Sequence, residues 1–478
     1  MLDASCTNKK RRYYFAALVA VAILGACSAG GSESVISSGA SLRSHSHLTG
    51  SPIKHVVIMI QENRTFNDFF ATFPGADGTT TAQAIAEPNC SPPILAGPIK
   101  LAEANLVVPL ILNHSYDAYL TAWDRGKLDA FDAIPAGKHG PPECAEPYQY
   151  TNPAQIQPYW EMAQQYVLAE HMFATHGSDS FVAHQDLIRG GTIVEPGKSM
   201  IDFPTCSGPS CIWGCDAPQG THTSLVTQGG QWKDFRGKGP FPCSTDFTSS
   251  YPTLRDLLDA KRVSWKYYVP PIHNSLDGKL FNAFDVIYPV RYGPEWKTNV
   301  VMPQTQIFAD ISKGALPAVS WVIPDALASD HPGLGKDYGP SWIASVVNVI
   351  GESAYWDSTV IVVLWDDFGG LYDNLGMLNQ KKYGYGGLGL RVPAIIVSPY
   401  ARARYISPTN YEFGSILKYI EQNWNLGSLG TTDQRAASII DCFNYLQTPI
   451  PFKPITSKYS KEYFLHKKPS LLPVDTDM

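Results

Sequence analysis

The sequence is short of positive charge. Its 478 residues carry 37 Lys and Arg against 43 Asp and Glu, a formal net charge of −6, and only 17% of them are charged. Gripping a nucleic-acid backbone takes a basic face, so nucleic acid is excluded as a main partner. Long apolar runs are also scarce. Only Tyr13 to Leu24 joins an unbroken apolar stretch to basic flanks, which excludes a multi-span membrane protein. No internal repeat and no heptad occurs, and this removes solenoids and coiled coils. What the chain does hold is core-forming and turn-forming material: 44% hydrophobic, 12% aromatic, 37 Pro and 39 Gly. That composition excludes disorder and suits a loop-rich α/β enzyme better than a helical bundle.

The start of the chain has its own logic. Lys9, Lys10, Arg11 and Arg12 precede the apolar stretch, and Leu24-Gly25-Ala26-Cys27 closes it. This order predicts a secretory signal over residues 1–26, too short and wrongly flanked for a stable transmembrane helix. Leu-Gly-Ala-Cys resembles a bacterial lipobox, whose cysteine becomes the lipidated first residue. Ser28 after it resembles outer-membrane sorting in Gram-negative bacteria. We therefore expect export and a membrane anchor at Cys27, with release into the periplasm as the alternative. Residues 27–50, rich in Ser and Gly, read as a flexible tether. Loss of residues 1–26 removes four basic residues and one acid and deepens the net charge from −6 to −9. Beyond Cys6 and Cys27 stand Cys90, Cys144, Cys206, Cys211, Cys215, Cys243 and Cys442. In an oxidising compartment they read as three disulfides with one thiol left over. The Cys206, Cys211, Cys215 cluster matches no known zinc finger and reads as a stapled loop.

Residues 51–478 are expected to form one catalytic domain, with a Cys-, Gly- and Pro-rich insertion at about 195–250 lying over one end of the sheet as a candidate lid. Val56 to Ile60, Val319 to Ile323, Val360 to Trp365 and Ala394 to Val397 are short unbroken apolar runs. Such runs predict buried parallel strands. Helical patterns lie between them. Ser341 is placed to cap a helix with Ile343, Val346, Val347 and Ile350 on one face, and Thr253 another with Leu254, Leu257 and Leu258; Ser415 to Trp424 forms a third. The fold class is α/β with a largely parallel sheet.

In such sheets ligands bind beyond the carboxyl ends of the strands. One strong strand runs into Gln61-Glu62-Asn63-Arg64, another into Asp366-Asp367-Phe368-Gly369-Gly370. Adjacent carboxylates repel, and a bound cation relieves the repulsion. Glu62, Asn63, Asp366 and Asp367 thus form a candidate metal site of oxygen ligands, suited to a hard divalent ion. Ser180 is expected at or near a helix start, where free backbone N–H groups receive an anion, with His184 one turn away on the same face. Beside a metal, that hydroxyl is a sensible phosphoryl acceptor. In Ser329-Asp330-His331-Pro332 the aspartate is placed to orient the histidine or raise its pKa, leaving an imidazolium for a leaving oxygen.

Taken in order, these segments resemble the bacterial phosphoesterase family of non-specific phospholipases C and related acid phosphatases. His55 to Phe70 is similar to the family's Glu-Asn-Arg-Ser-Phe-Asp-x-x-Phe signature, and Trp365 to Asp373 to its Trp-Asp-(Asp/Glu)-x-Gly-Gly-x-Tyr-Asp signature. His114-Ser115-Tyr116, the Ser180 segment, Ser329 to Pro332 and Arg391 to Pro399 fall between or after them. The resemblance implies an alkaline-phosphatase-like three-layer sandwich and one divalent metal ion (Ca, Mg, Mn or Zn) at Glu62, Asn63, Asp366 and Asp367. It further implies Ser180 as nucleophile, with Thr175 and Ser178 as fallbacks. His114 and His331 would contact phosphate oxygens or the leaving group, and His184 would be a further catalytic candidate. Many relatives carry His where Phe368 and Asn374 stand. The implied activity is hydrolysis of phosphate esters through a phosphoseryl intermediate. Phospholipid headgroup diesters come first as substrates, small phosphomonoesters are the alternative, and a non-catalytic surface lipoprotein is a third reading.

Overall fold

The computed structural model describes residues 46–468, except 138, 206–213, 216, 219, 234–242, 244–250, 273–281 and 378. The predicted signal, the Cys27 anchor, most of the tether, Cys206 and Cys211 lie outside the described residues.

Eight strands make the central sheet: β1 (His55–Gln61), β2 (Val167–Ala169), β3 (Trp265–Tyr268), β4 (Val300–Val301), β5 (Val319–Val322), β6 (Thr359–Trp365), β7 (Ala394–Val397) and β8 (Tyr405–Ser407). Their order is β4-β3-β5-β1-β6-β7-β2-β8. The strongest predicted strands occupy the centre. Val56, Val57, Ile58 and Met59 are fully buried, as is every residue of β6. Each such side chain contributes about 1.5–3 kcal/mol on leaving water, so burial alone dictates these strands.

Ala394–Val397 corrects the expectation of a parallel strand, because it runs antiparallel to β6, as does β2 to β7. An unbroken apolar run reports burial on both faces and carries no information on direction. The other pairings in this sheet are parallel. Helices cover both faces. The Ile58 level of the sheet carries Trp321, whose indole donates to Leu187 O in the helix Ser180–Arg189. Gln61 and Trp365 point the other way and meet Tyr159, in the helix Gln157–Gln165. The result is a three-layer α/β/α arrangement.

Two further expectations change. The helix predicted from Ser341 begins at Gly339, because Pro340 needs no N–H in the first turn; Ser341 Oγ instead accepts from Tyr459 N at 3.2 Å. Thr253 does cap its helix, in a capping box with Asp256. The region 195–250, expected as a Cys-, Gly- and Pro-rich insertion without strands of its own, contains strands of a four-stranded antiparallel sheet with Lys198–Thr205 and His222–Thr227 at its centre. Those two central strands are largely buried on both faces and so show no clean alternation. Disulfides join Cys90 to Cys144 and Cys215 to Cys243, and Cys442 is a buried free thiol.

Candidate active site

β1 and β6 are parallel neighbours in register, with Gln61 opposite Trp365. The next residue on each strand must therefore meet its counterpart, and Glu62 comes beside Asp366. On the other side of β1, Glu62 N donates to Ser329 O at 2.8 Å, which brings in the loop after β5. After Glu62 the chain turns at Asn63 with φ 58, a left-handed conformation that Asn tolerates better than most side chains. Two acceptors hold this turn: Asp366 Oδ1 takes N–H from Asn63 (2.9 Å) and from Asp367 (2.8 Å). Gly369 (φ 56) lies against the Asn63 carbonyl, where any Cβ would collide with the backbone.

The long signatures now have a physical reading. Thr65 Oγ1 donates to Tyr372 O, and Asn67 N donates to Asp373 Oδ2 at 2.9 Å. Arg391, fully buried, donates from Nε to Asp373 Oδ1 at 2.8 Å and lies over the Phe66 ring. Arg64 donates to Asp68, to Leu106 O and to Asp330 O. These contacts stitch the two strand-end loops to each other and to the histidine loops. Asn374 accepts from Arg391, and Phe368 packs edge-on against His114.

Ser180 is the first residue of its helix, behind Asp179 as N-cap. Its Oγ lies 3.1 Å from Asp367 Oδ2 and 3.2 Å from Glu62 Oε2, and its one proton can go to only one of them. The alternatives are committed elsewhere. Thr175 Oγ1 accepts from Phe413 N, and Ser178 Oγ accepts from Asp202 N. One turn along the helix, His184 Nε2 is 3.0 Å from Glu62 Oε1 and 3.8 Å from Asp366 Oδ2. His184, expected as a further catalytic residue, thus lies among the candidate ligands: donor atoms of Glu62, His184 and Asp366 come within 4.8 Å of one another. Ligands about 2.0–2.3 Å from one cation stand at such separations.

The donor set fits a cation on independent grounds. Asn63 Oδ1 and Asp366 Oδ2 are buried acceptors with no hydrogen-bond partner among the described residues. Burial first, and the Glu62 carboxylate second, push Asp366 up to about 8, against the pull of His184. Asn63 Nδ2 lies 2.7 Å from His114 Nε2 and 3.5 Å from Asp367 Oδ2, which turns Oδ1 to the opposite side. The imidazole replaces the expected all-oxygen set with a mixed one, within reach of borderline ions such as Zn²⁺ and Mn²⁺.

His114 Nδ1 is held at 2.8 Å from Leu112 O, so its Nε2 accepts from Asn63. The His331 ring lies 6.1 Å from that of His114. Asp330 does not orient it as expected. The Asp330 carboxylate accepts from Tyr159 (2.6 Å) and Gln61 (3.3 Å), while His331 Nδ1 is 2.5 Å from Pro332 O. Asp330 has φ 68, a turn that sends its side chain down onto the sheet. Tyr159 carried no sequence signal, because its helix lies far from every motif along the chain.

Burial lifts Asp330 from 3.8 to about 6, opposed by the Tyr159 hydrogen bond and by Arg64. The native state therefore favours the protonated form. The stability this supplies is complete below about pH 4 and lost as pH rises through 6. Asp330→Asn keeps an acceptor for Tyr159 without the charge. It should outlast the native chain in thermal melts at pH 8 by at most about 3 kcal/mol and match it near pH 4. An equal shift at both pH values would show that the charge is not responsible.

Carboxylates, an imidazole and a hydroxyl gathered beyond strand ends make a hydrolytic centre for anionic esters. The chain belongs to the Phosphoesterase family, whose model matches residues 53–427. Phospholipase C B of Mycobacterium tuberculosis is 24% identical over 453 residues, covering 85% of this chain and 80% of that protein. The non-hemolytic phospholipase C of Pseudomonas aeruginosa is 22% identical over 463 residues, 85% of this chain and 60% of that longer protein. The chain is a hydrolase acting on phosphate ester bonds. Among solved structures, a protein of the alkaline phosphatase superfamily from Vibrio parahaemolyticus aligns at 11% identity and TM-score 0.37, over 85% of this chain and 77% of that one.

Proposed function

We propose that this chain is a phospholipase C that cleaves the glycerol side of a phospholipid headgroup diester in two steps through Ser180. The observation that carries this reading is Ser180 Oγ at a helix N-terminus, 3.1 and 3.2 Å from two carboxylates beside the candidate ligands. A divalent cation held by Glu62, His184 and Asp366, with Asn63 Oδ1 as a further ligand, would acidify the serine hydroxyl and offset charge on the phosphate oxygens.

The chain's own groups do the rest. Ser180 Oγ gives its proton to a neighbouring carboxylate and bonds to phosphorus in line with the glycerol oxygen. Amides at the helix start hold the phosphate oxygens. His331, fixed through Nδ1, presents Nε2 to the departing alkoxide and protonates it as the P–O bond breaks. Water then gives a proton to the now neutral His331 and adds to the phosphoserine, the Oγ–P bond breaks, and Oγ takes back the proton held by the carboxylate. The named relatives are phospholipases C, which supports the diester as substrate. Export with anchoring at Cys27 belongs to the same reading, supported by the order of residues 1–27 and by two disulfides.

The test compares phosphatidylcholine with p-nitrophenyl phosphate. Release of diacylglycerol and phosphocholine at a higher kcat/KM than p-nitrophenol is expected. Preference for the monoester would replace this reading with an acid phosphatase.

A further inference from the structure

Leu106 to Leu112 is a run of seven apolar residues with no helix or strand. Its ends are buried, but Val107 is 40% exposed and Leu110 41%, with Pro109 exposed and Val108 and Ile111 half-buried between them. Five successive apolar residues at a surface are a liability unless they meet something. From Ala104 to Tyr116 the chain has no Asp, Glu, Lys or Arg.

The loop is tied to the site at both ends. Arg64 holds Leu106 O at 2.7 Å, and Leu112 O faces His114 Nδ1. Its middle rests on the histidine loop: Gly333 N donates to Val108 O at 2.9 Å, two residues after His331. At Gly333 (φ 81) any Cβ would strike the Ile111 side chain, so the close approach depends on glycine. Pro109 has no N–H to leave unsatisfied in an apolar medium.

We infer that this loop inserts into the surface of a lipid bilayer and seats the enzyme there for its substrate. The inference rests on the phospholipase reading, in which His331 protonates the departing diacylglycerol oxygen. The loop then lies on the side from which the acyl chains leave, so a phosphate delivered to Ser180 has its glycerol side toward Leu110. An uncharged loop on an acidic protein draws nothing from anionic headgroups, so docking comes from apolar burial. It should persist on zwitterionic vesicles and resist salt.

The test uses the full chain in a Cys27→Ala background, so that no acyl anchor substitutes for the loop. Val107→Asp with Leu110→Asp is compared with its parent on phosphatidylcholine vesicles and on dihexanoyl phosphatidylcholine below its micellar concentration. The ratio of vesicle rate to monomer rate should fall at least about tenfold, with loss of vesicle co-sedimentation, whereas Leu110→Trp should keep both. An unchanged ratio overturns the inference. So does an equal fall on both substrates, which would assign the loop to the chemistry, or a wild-type dimer that the variant dissociates without any vesicle binding. If the parent turns over p-nitrophenyl phosphate but neither lipid, the phospholipase reading fails, and co-sedimentation alone then decides the loop.

Discussion

Ser180→Ala is expected to lower turnover of every phosphoester substrate by at least about 10³-fold, with little change in KM. The hydroxyl touches two carboxylates at once, Glu62 and Asp367. Thr175 and Ser178 are not expected to take over, since their hydroxyls are held by Phe413 N and Asp202 N. The helix should survive, because its N-cap is Asp179 and Ser180 Oγ bonds no helix amide. Circular dichroism and melting temperature therefore provide the control. Acid quench of the native enzyme during turnover should yield a phosphorylated peptide containing Ser180, absent from the variant. Full activity in Ser180→Ala would sink the two-step scheme. Loss of rate together with phosphate on a different residue would keep the scheme and move the nucleophile.

Removing the cation should have the next largest effect, and its pH dependence has a definite sign. Without an ion, the folded-state pKa of Asp366 lies near 8, against an ordinary 3.8. A raised carboxylate pKa supplies stability below about pH 4 that is lost as pH climbs through 8. The ion-free protein should therefore weaken as pH rises from 6 to 8 and level off beyond. A cation takes the place of the proton and removes that loss. Melting temperatures with and without chelator should thus diverge as pH rises. Asp366→Asn should flatten the pH dependence of the ion-free protein, bind metal poorly by elemental analysis, and lose roughly 10²-fold or more in kcat. A gap between loaded and chelated protein that stays constant from pH 6 to 9 would count against Asp366 as a ligand.

Much of the site was legible in one dimension because the chemistry sits at strand ends. Val56 to Ile60 and Val360 to Trp365 mark themselves by unbroken hydrophobicity, and whatever follows a buried strand in an α/β sheet faces the ligand. Glu62, Asn63, Asp366 and Asp367 became candidates that way, and Ser180 through the family resemblance, which singled it out from other residues at helix starts. His184 shows where such reading stops. Its spacing from Ser180 put it on the right face of the helix, yet its partners, Glu62 and Asp366, lie 122 and 182 residues away. Asp330 shows the opposite failure, because adjacency to His331 suggested a contact that a single positive φ prevents.

The sequence by itself determined which segments are buried, which polar residues end them, and the family to which those endings belong. These follow from local composition, since apolar runs must leave water wherever the chain goes. Only the tertiary structure decided that Ala394–Val397 reverses direction, that His184 joins the carboxylates, that Asp330 serves Tyr159 and Gln61, and that Val107 to Ile111 stands out beside His331. Each of these depends on distance in space between residues far apart in the chain. The local pattern sets how much a residue gains by burial, and packing decides what it meets there.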